Sequence, residues 1–393
     1  MSLQLYNTAS RRIETPELGK LVQLYVCGIT PYESAHMGHV FTFLTYDILQ
    51  RYLESEGREV RLVRNITDVD EPIYVRAKEL GIAYTELAAS ETELFQTVMR
   101  QLNLRTPFAE PLASHYIEEM SGAVQSLLEA NVAYKLDGGD VYFDTASDPT
   151  FGELSNFSEP LRLKFMADRG GDPGRPGKHQ PQDFLLWKAV ASPADPAAWI
   201  TPLGRGRPGW HIECTVMSSQ LLQLPLDFHG GGMDLIFPHH ECENAQSLAL
   251  GQKPLAKHWL HVAPLGYHGE KMSKSLGNLV FAKDLLEHYS AGVIRLAMLQ
   301  YHYRTGGEWH NDSLLRAEEL ATQLQDCMAA DCGPAPEPFR ERFLCALEND
   351  LDTPEMFATL CDYAKAASQG KQQQAGAGDQ LSKLLALIGI ELL

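Results

Sequence analysis

The chain has 393 residues, enough at roughly 150 residues per domain for two or three domains with a sizeable core. With 33 Lys and Arg against 51 Asp and Glu, its formal net charge is −18, which disfavours bulk attraction to nucleic acid or anionic lipid. Apolar residues make up 44% and charged residues 21%, and no apolar run approaches the roughly 20 residues that span a bilayer, so neither a disordered chain nor a membrane protein is expected.

The opening text, Met1 to Asn7, lacks the basic and apolar regions of a secretory signal, so a cytoplasmic protein is expected and its seven Cys are read as thiols or ligands. Leu21 to Val26 reads as a buried strand that stops at Cys27-Gly28, because Pro31 forbids simple continuation. From Met37, apolar residues at Val40, Phe43, Leu44, Ile48, Leu49 and Tyr52 have helical spacing up to Gly57, and Val60 to Val63 is a second strand. Strand, helix, strand implies a parallel, doubly wound α/β sheet whose loop-to-helix junction suits phosphates. The text then changes between Phe108 and Gly206, with two Gly-Gly-Asp strings and clustered Pro, as an insertion into the sheet. Trp210 to Asn278 reads as sheet-like and loop-like segments rich in His, Gly and Pro. Beyond Ala291 the pattern is helical, broken at Glu348 to Pro354 and at Gly370 to Gly378. The expected divisions are 1–107, the first half of a nucleotide-binding catalytic domain; 108–206, the insertion; 207–290, its second half; and 291–393, a helical bundle.

Four strings carry chemistry. His36-Met37-Gly38-His39 sets two imidazoles and a close-approach Gly at the helix start, suited to nucleotide phosphates; alone, it also reads as a loop with two solvated His. Lys271 and Lys274, in Lys-Met-Ser-Lys-Ser, can act as flexible point charges on a polyphosphate. Cys27, Cys214, His239 and Glu243 form a candidate tetrahedral Zn²⁺ set, His239 and Glu243 being four apart and so on one helix face. Phe228 to Asp234 is a Gly-rich loop, either a ligand cradle or a tight turn.

Cys27-Gly28-Ile29-Thr30-Pro31-Tyr32, the His36 to His39 string, Asn65-Ile66-Thr67-Asp68, Arg207 to Cys214, Gly230 to His240 and Lys271 to Asn278 together resemble the cysteinyl-tRNA synthetase superfamily of class I, in order along nearly the whole chain. The resemblance implies a Rossmann-like class I sheet, ATP with Mg²⁺, one Zn²⁺ and activation of L-cysteine as cysteinyl-adenylate. It assigns His36, His39, Lys271 and Lys274 to catalysis. Contacts to the adenylate fall to Gly28, Ile29, Thr30, Thr42, Asn65, Ile66, Thr67, Trp210, His229, Gly232, Met233, Asp234 and Leu265. Two branches share this chemistry: the tRNA synthetase, and the mycothiol-pathway ligase that joins cysteine to glucosaminyl-inositol. The Ile-Thr-Pro-Tyr loop, the terminal His39 and Asp168-Arg169-Gly170-Gly171-Asp172-Pro173 resemble the ligase, whereas Glu243 matches the synthetase's fourth zinc ligand. Residues 310–393 carry 14 acidic and 6 basic side chains, and little text follows Asp350 to Pro354; both features speak against tRNA as acceptor. The leading expectation is therefore a monomeric cysteine:glucosaminyl-inositol ligase, with Arg169 to Lys178 a mobile loop near the acceptor. The alternatives are a truncated synthetase and a non-catalytic cysteine or adenylate-binding protein.

Overall fold

The computed structural model describes residues 2–192, 195–272, 277–330, 332–369 and 374–392. After a short antiparallel pair, Leu5–Asn7 with Arg12–Glu14, the chain forms strand β1, Leu21–Ile29, helix α1, Met37–Ser55, and strand β2, Glu59–Ile66. β2 lies parallel to β1, from Leu21 opposite Glu59 to Ile29 opposite Ile66. Burial on both faces explains the continuous apolar text of β1. Val22, Leu24 and Val26 pack with α1 in one core, while Tyr25 and Cys27 point the other way into a second core that contains Ile212 and Cys214.

Helices α2, Glu71–Leu80, and α3, Tyr84–Gln101, come next, followed by α4, Ile117–Glu129. An antiparallel sheet is then built from β3, Ala133–Lys135, β4, Val141–Phe143, β5, Phe184–Ala189, β6, Trp199–Thr201, and β7, Gly204–Pro208, in the spatial order β3-β4-β5-β7-β6. Helix α5, Glu159–Asp168, lies between β4 and β5 in sequence. The chain returns to the first sheet through α6, Trp210–Leu221, β8, Leu226–Gly232, α7, Glu241–Ala249, and β9, Ala256–Val262. The sheet order is β9-β8-β1-β2, all parallel, which is the doubly wound arrangement the sequence implies.

Trp210 to Asn278 departs from expectation by containing α6 and α7. In α6, Trp210, Ile212, Cys214 and Val216 alternate with polar residues, so the text has the period of a strand where the chain forms a helix. A small third sheet pairs β10, Leu265–Tyr267, with β11, Gly307–Glu308. Helix α8, Ala291–Leu299, opens the C-terminal helical region, which continues through Asn311–Ala330, Glu337–Glu348, Thr353–Ser368 and Ala377–Leu387. Buried Asp47 of α1 accepts from Arg51 at 2.8 Å and from Arg295 of α8 at 2.5 Å, and Arg295 also donates to the Leu102 and Ile388 carbonyls. The C-terminal region thereby holds the helix whose N-terminus carries His36 as its cap and His39 in its first turn. Among the described residues, no helix is long and apolar enough to cross a membrane.

Candidate active site

A cavity of about 420 Å³ opens where β1, β2 and β8 end, the crevice such sheets offer to ligands. Its wall brings together Gly28, Ile29, Thr30, Thr42, Asn65, Thr67, Trp210, Gly232, Asp234 and Leu265 with His36, His39, Cys27, Cys214 and His239. Among the named residues with described side chains, four lie off this wall. Ile66 alternates away from Asn65 and Thr67 into the α1 core; Met233 is 37% exposed; His229 and Glu243 are wholly buried behind the wall. Lys271 pairs by its backbone with Gly266 of β10, and Lys274 lies outside the described residues.

The crevice depends on a glycine at its throat. A Cβ on Gly28 would stand 1.6 Å from the Asn65 carbonyl oxygen, while the Gly28 N–H donates to Asn65 Oδ1 at 2.9 Å. On α1, His36 is the N-cap: its Nδ1 accepts from the Gly38 N–H at 3.1 Å, and the His36 N–H donates to His39 Nδ1 at 3.4 Å. The two rings stack with centroids 3.9 Å apart at the positive end of a 19-residue helix. The segments on either side of 273–276 reach the same place. Met272 lines the cavity, and the Met37 N–H donates to the Val280 carbonyl at 2.8 Å.

Cys27, Cys214, His239 and Glu243 hold their donor atoms within 4.8 Å of one another. The two sulfurs are 3.9 Å apart, against about 3.8 Å expected when each sits 2.3 Å from a tetrahedral zinc. Elements from both sides of the second core supply them: β1 gives Cys27, α6 gives Cys214, the turn into α7 gives His239, and the first turn of α7 gives Glu243. His239 is held by Trp210, stacked at 4.3 Å, and by His211 Nδ1, 2.9 Å from its own Nδ1, which leaves Nε2 facing Glu243 Oε1 at 3.0 Å. Glu243 Oε2 meets His229 Nε2 at 2.9 Å. Without metal, burial works to lower the His239 pKa, but the Glu243 charge and Cys214 outweigh it and raise it to about 10. Burial would lift Glu243, yet His239 and His229 hold it down to about 2. Burial would likewise lift the Cys214 thiol, but the Cys27 hydrogen bond brings it to about 6. This soft, electron-rich set fits a zinc ion, with the other ring nitrogen of His239 already tied, as metal-bound imidazoles require.

Sequence reasoning missed His240. It stands 3.3 Å from Cys27 Sγ, is joined to His261 at 2.8 Å, and forms a second donor group with Cys27, His229 and Glu243. Cavity-facing Tyr32 and Glu33 were missed too, since nothing in a short loop says which side chains look inward. Arg169 does reach the cavity, but Arg175 and Lys178 do not. Arg175 pairs with Asp140 at 2.5 Å, Lys178 donates to the Asp172 and Pro181 carbonyls, and both lie over Tyr142.

Asp70 caps α2, accepting from the Glu71 N–H at 2.8 Å, and lies 3.4 Å from the Thr30 hydroxyl. Burial raises its pKa from 3.8 to about 6. A carboxyl whose folded pKa is raised contributes most below its unfolded pKa and loses that contribution as pH rises through the folded one. For metal-free protein, Asp70→Asn should therefore gain about 2–3 kcal/mol over the parent between about pH 4 and pH 8. Urea melts at the two pH values test this, and a difference that does not grow would rule it out.

The family model for the tRNA synthetases class I (C) catalytic domain matches residues 14–319. A protein of Thermobifida fusca named L-cysteine:1D-myo-inositol 2-amino-2-deoxy-alpha-D-glucopyranoside ligase is 45% identical over 92% of this chain and 87% of its own. A protein of the same name from Streptosporangium roseum is 40% identical over 99% and 96%. Among solved structures, Mycobacterium tuberculosis methionyl-tRNA synthetase with methionyl-adenylate shares the fold at a TM-score of 0.67 and 15% identity, covering 94% of this chain and 90% of that one. The Agrobacterium radiobacter K84 LeuRS in its ternary complex does so at 0.68 and 11%, covering 96% and 85%. The chain belongs to the family of the tRNA synthetases class I (C) catalytic domain, and the two ligases just named are among the proteins similar to it.

Proposed function

We propose that the protein is an ATP-dependent ligase that activates L-cysteine as cysteinyl-adenylate and transfers it to the amine of glucosaminyl-inositol, releasing AMP and pyrophosphate. The observation that carries this reading is a single cavity holding a two-thiol, one-imidazole floor beside stacked His36 and His39 at a helix N-terminus.

Cys27, Cys214 and His239 would hold a zinc ion, with Glu243 behind them. When bound, zinc supplies a soft Lewis-acid position that takes a thiolate and discriminates against a hydroxyl. Thr30, Asn65, Thr67 and Trp210 would orient cysteine with its carboxylate toward the α-phosphate of ATP, with Mg²⁺ held largely by phosphate oxygens. His36 and His39, with Lys271 and Lys274, would steady the charge that develops on the departing pyrophosphate. Gly232 and Asp234 would meet the ribose, and Leu265 the base. In the second step the neutral acceptor amine attacks the adenylate carbonyl, the bond from that carbon to the phosphate oxygen breaks, AMP leaves, and the nitrogen gives up one proton to solvent. A reducing cytosol would keep the thiols competent.

The test supplies cysteine and Mg-ATP with glucosaminyl-inositol or with tRNA and measures product mass. Amide on the amino-sugar is expected. Cysteine transferred to tRNA alone would favour the synthetase reading, and no cysteine-dependent pyrophosphate exchange would exclude both.

A further inference from the structure

Three polar side chains face the cavity and take no part in the contacts assigned to cysteine and ATP. They are Tyr32 and Glu33, on the loop before α1, and Arg169, from the inserted segment. A carboxylate is poorly placed to help polyphosphate, which repels it, or the cysteine thiol, which is served by the metal donors. An aromatic ring, a carboxylate and a guanidinium facing one space are suited to an amino-sugar. The ring covers an apolar sugar face, the carboxylate accepts from an ammonium and a hydroxyl, and the guanidinium donates to hydroxyls.

Local structure explains how Arg169 comes to be there. It ends α5; Gly170, at φ +80°, donates to the Ala167 carbonyl at 3.3 Å, and Gly171 donates to the Met166 carbonyl at 2.8 Å. This left-handed glycine cap turns the chain sharply, and the guanidinium crosses to Asp234, donating to its carbonyl at 2.9 Å and lying 3.6 Å from its carboxylate. The Arg-Gly-Gly text is thus a cap with its arginine aimed at the crevice. Burial, then the charges of Glu33 and Asp70, raise the Tyr32 phenol.

We propose that Tyr32, Glu33 and Arg169 form the acceptor subsite, binding a polyhydroxylated primary amine, an assignment that rests on the ligase reading above. Glu33 is its specificity residue: it distinguishes an amino-sugar from the corresponding sugar with a hydroxyl in place of the amine.

The test compares the parent with Glu33→Gln, Glu33→Asp and Arg169→Ala in two assays, cysteine-dependent pyrophosphate exchange and steady-state amide formation from glucosaminyl-inositol. Glucosyl-inositol serves as a competitive inhibitor. Glu33→Gln should raise the acceptor KM at least about 10-fold while the cysteine KM in exchange moves less than about 3-fold, the loss of one charged hydrogen bond confined to one substrate. Inhibition by glucosyl-inositol should change much less than the acceptor KM, and Glu33→Asp should recover part of the loss. Arg169→Ala should weaken substrate and inhibitor alike. An unchanged acceptor KM in both Glu33→Gln and Arg169→Ala overturns the subsite, as does an equal loss for substrate and inhibitor in Glu33→Gln. If the parent exchanges pyrophosphate but forms no amide, the ligase reading fails and the subsite with it, an outcome read from the parent alone.

Discussion

Cys214→Ser is expected to strip the protein of stoichiometric zinc and to lower cysteine-dependent pyrophosphate exchange at least about 1000-fold, roughly 4 kcal/mol of transition-state stabilisation. The reason lies in the selection problem. Cysteine and serine differ in one atom, and an apolar pocket separates such near-isosteres by only about 100-fold. Discrimination has to come from a chemical difference between sulfur and oxygen, which a metal held by Cys27, Cys214 and His239 would supply at the cavity wall. Cys214 is 1% exposed and packed in the second core, and serine is smaller than cysteine, so the substitution fits the space and removes the soft donor. Zinc content by mass spectrometry should fall from one per chain toward zero while the circular dichroism spectrum stays that of the parent. Full zinc content with unchanged exchange would show that Cys214 is not a ligand.

His39→Ala is expected to lower the exchange kcat about 100- to 1000-fold, roughly 3–4 kcal/mol, with the cysteine KM changed less than about 3-fold. His39 sits in the first turn of α1, its ring on that of His36, so it faces the phosphate end of the cavity and not the thiol end. A group that steadies charge only as pyrophosphate departs should appear in kcat and spare ground-state binding of cysteine. A comparable loss in the cysteine KM with kcat intact would move His39 into substrate binding instead. Because α1 is clamped through Asp47 to Arg295, removal of an imidazole at the far end of the helix should leave the melting temperature nearly unchanged.

The sequence made β1, α1 and β2 legible because each has a clear apolar pattern, short runs for the strands and helical spacing for α1, from Val40 through Phe43, Leu44, Ile48 and Leu49 to Tyr52. It concealed α6 because Trp210, Ile212, Cys214 and Val216 alternate with polar residues, the spacing of a strand, although the segment folds as a helix. The metal donors were readable only in company. Cys27 and Cys214 are 187 residues apart, and it is the fold of β1 against α6 that brings the sulfurs within 3.9 Å. The sequence does not say that Glu243 sits behind the wall on His229, because strand and helix spacing fix a face and not a depth. Nor does it say that Arg169 crosses to Asp234, a contact made by the cap of α5 meeting the turn after β8. The long loop text from Arg169 to Lys178 reads as mobile, yet Arg175 and Lys178 are tied to Asp140 and to backbone carbonyls.

The proposed chemistry turns on a protein-held zinc that receives the sulfur of cysteine directly. Zinc K-edge X-ray absorption on the zinc-loaded protein, before and after saturating cysteine, tests this. One additional sulfur should enter the zinc shell at about 2.3 Å on adding cysteine, with no change on adding serine. A zinc shell that stays the same with cysteine, or one that changes equally with serine, would refute direct coordination of the substrate thiolate.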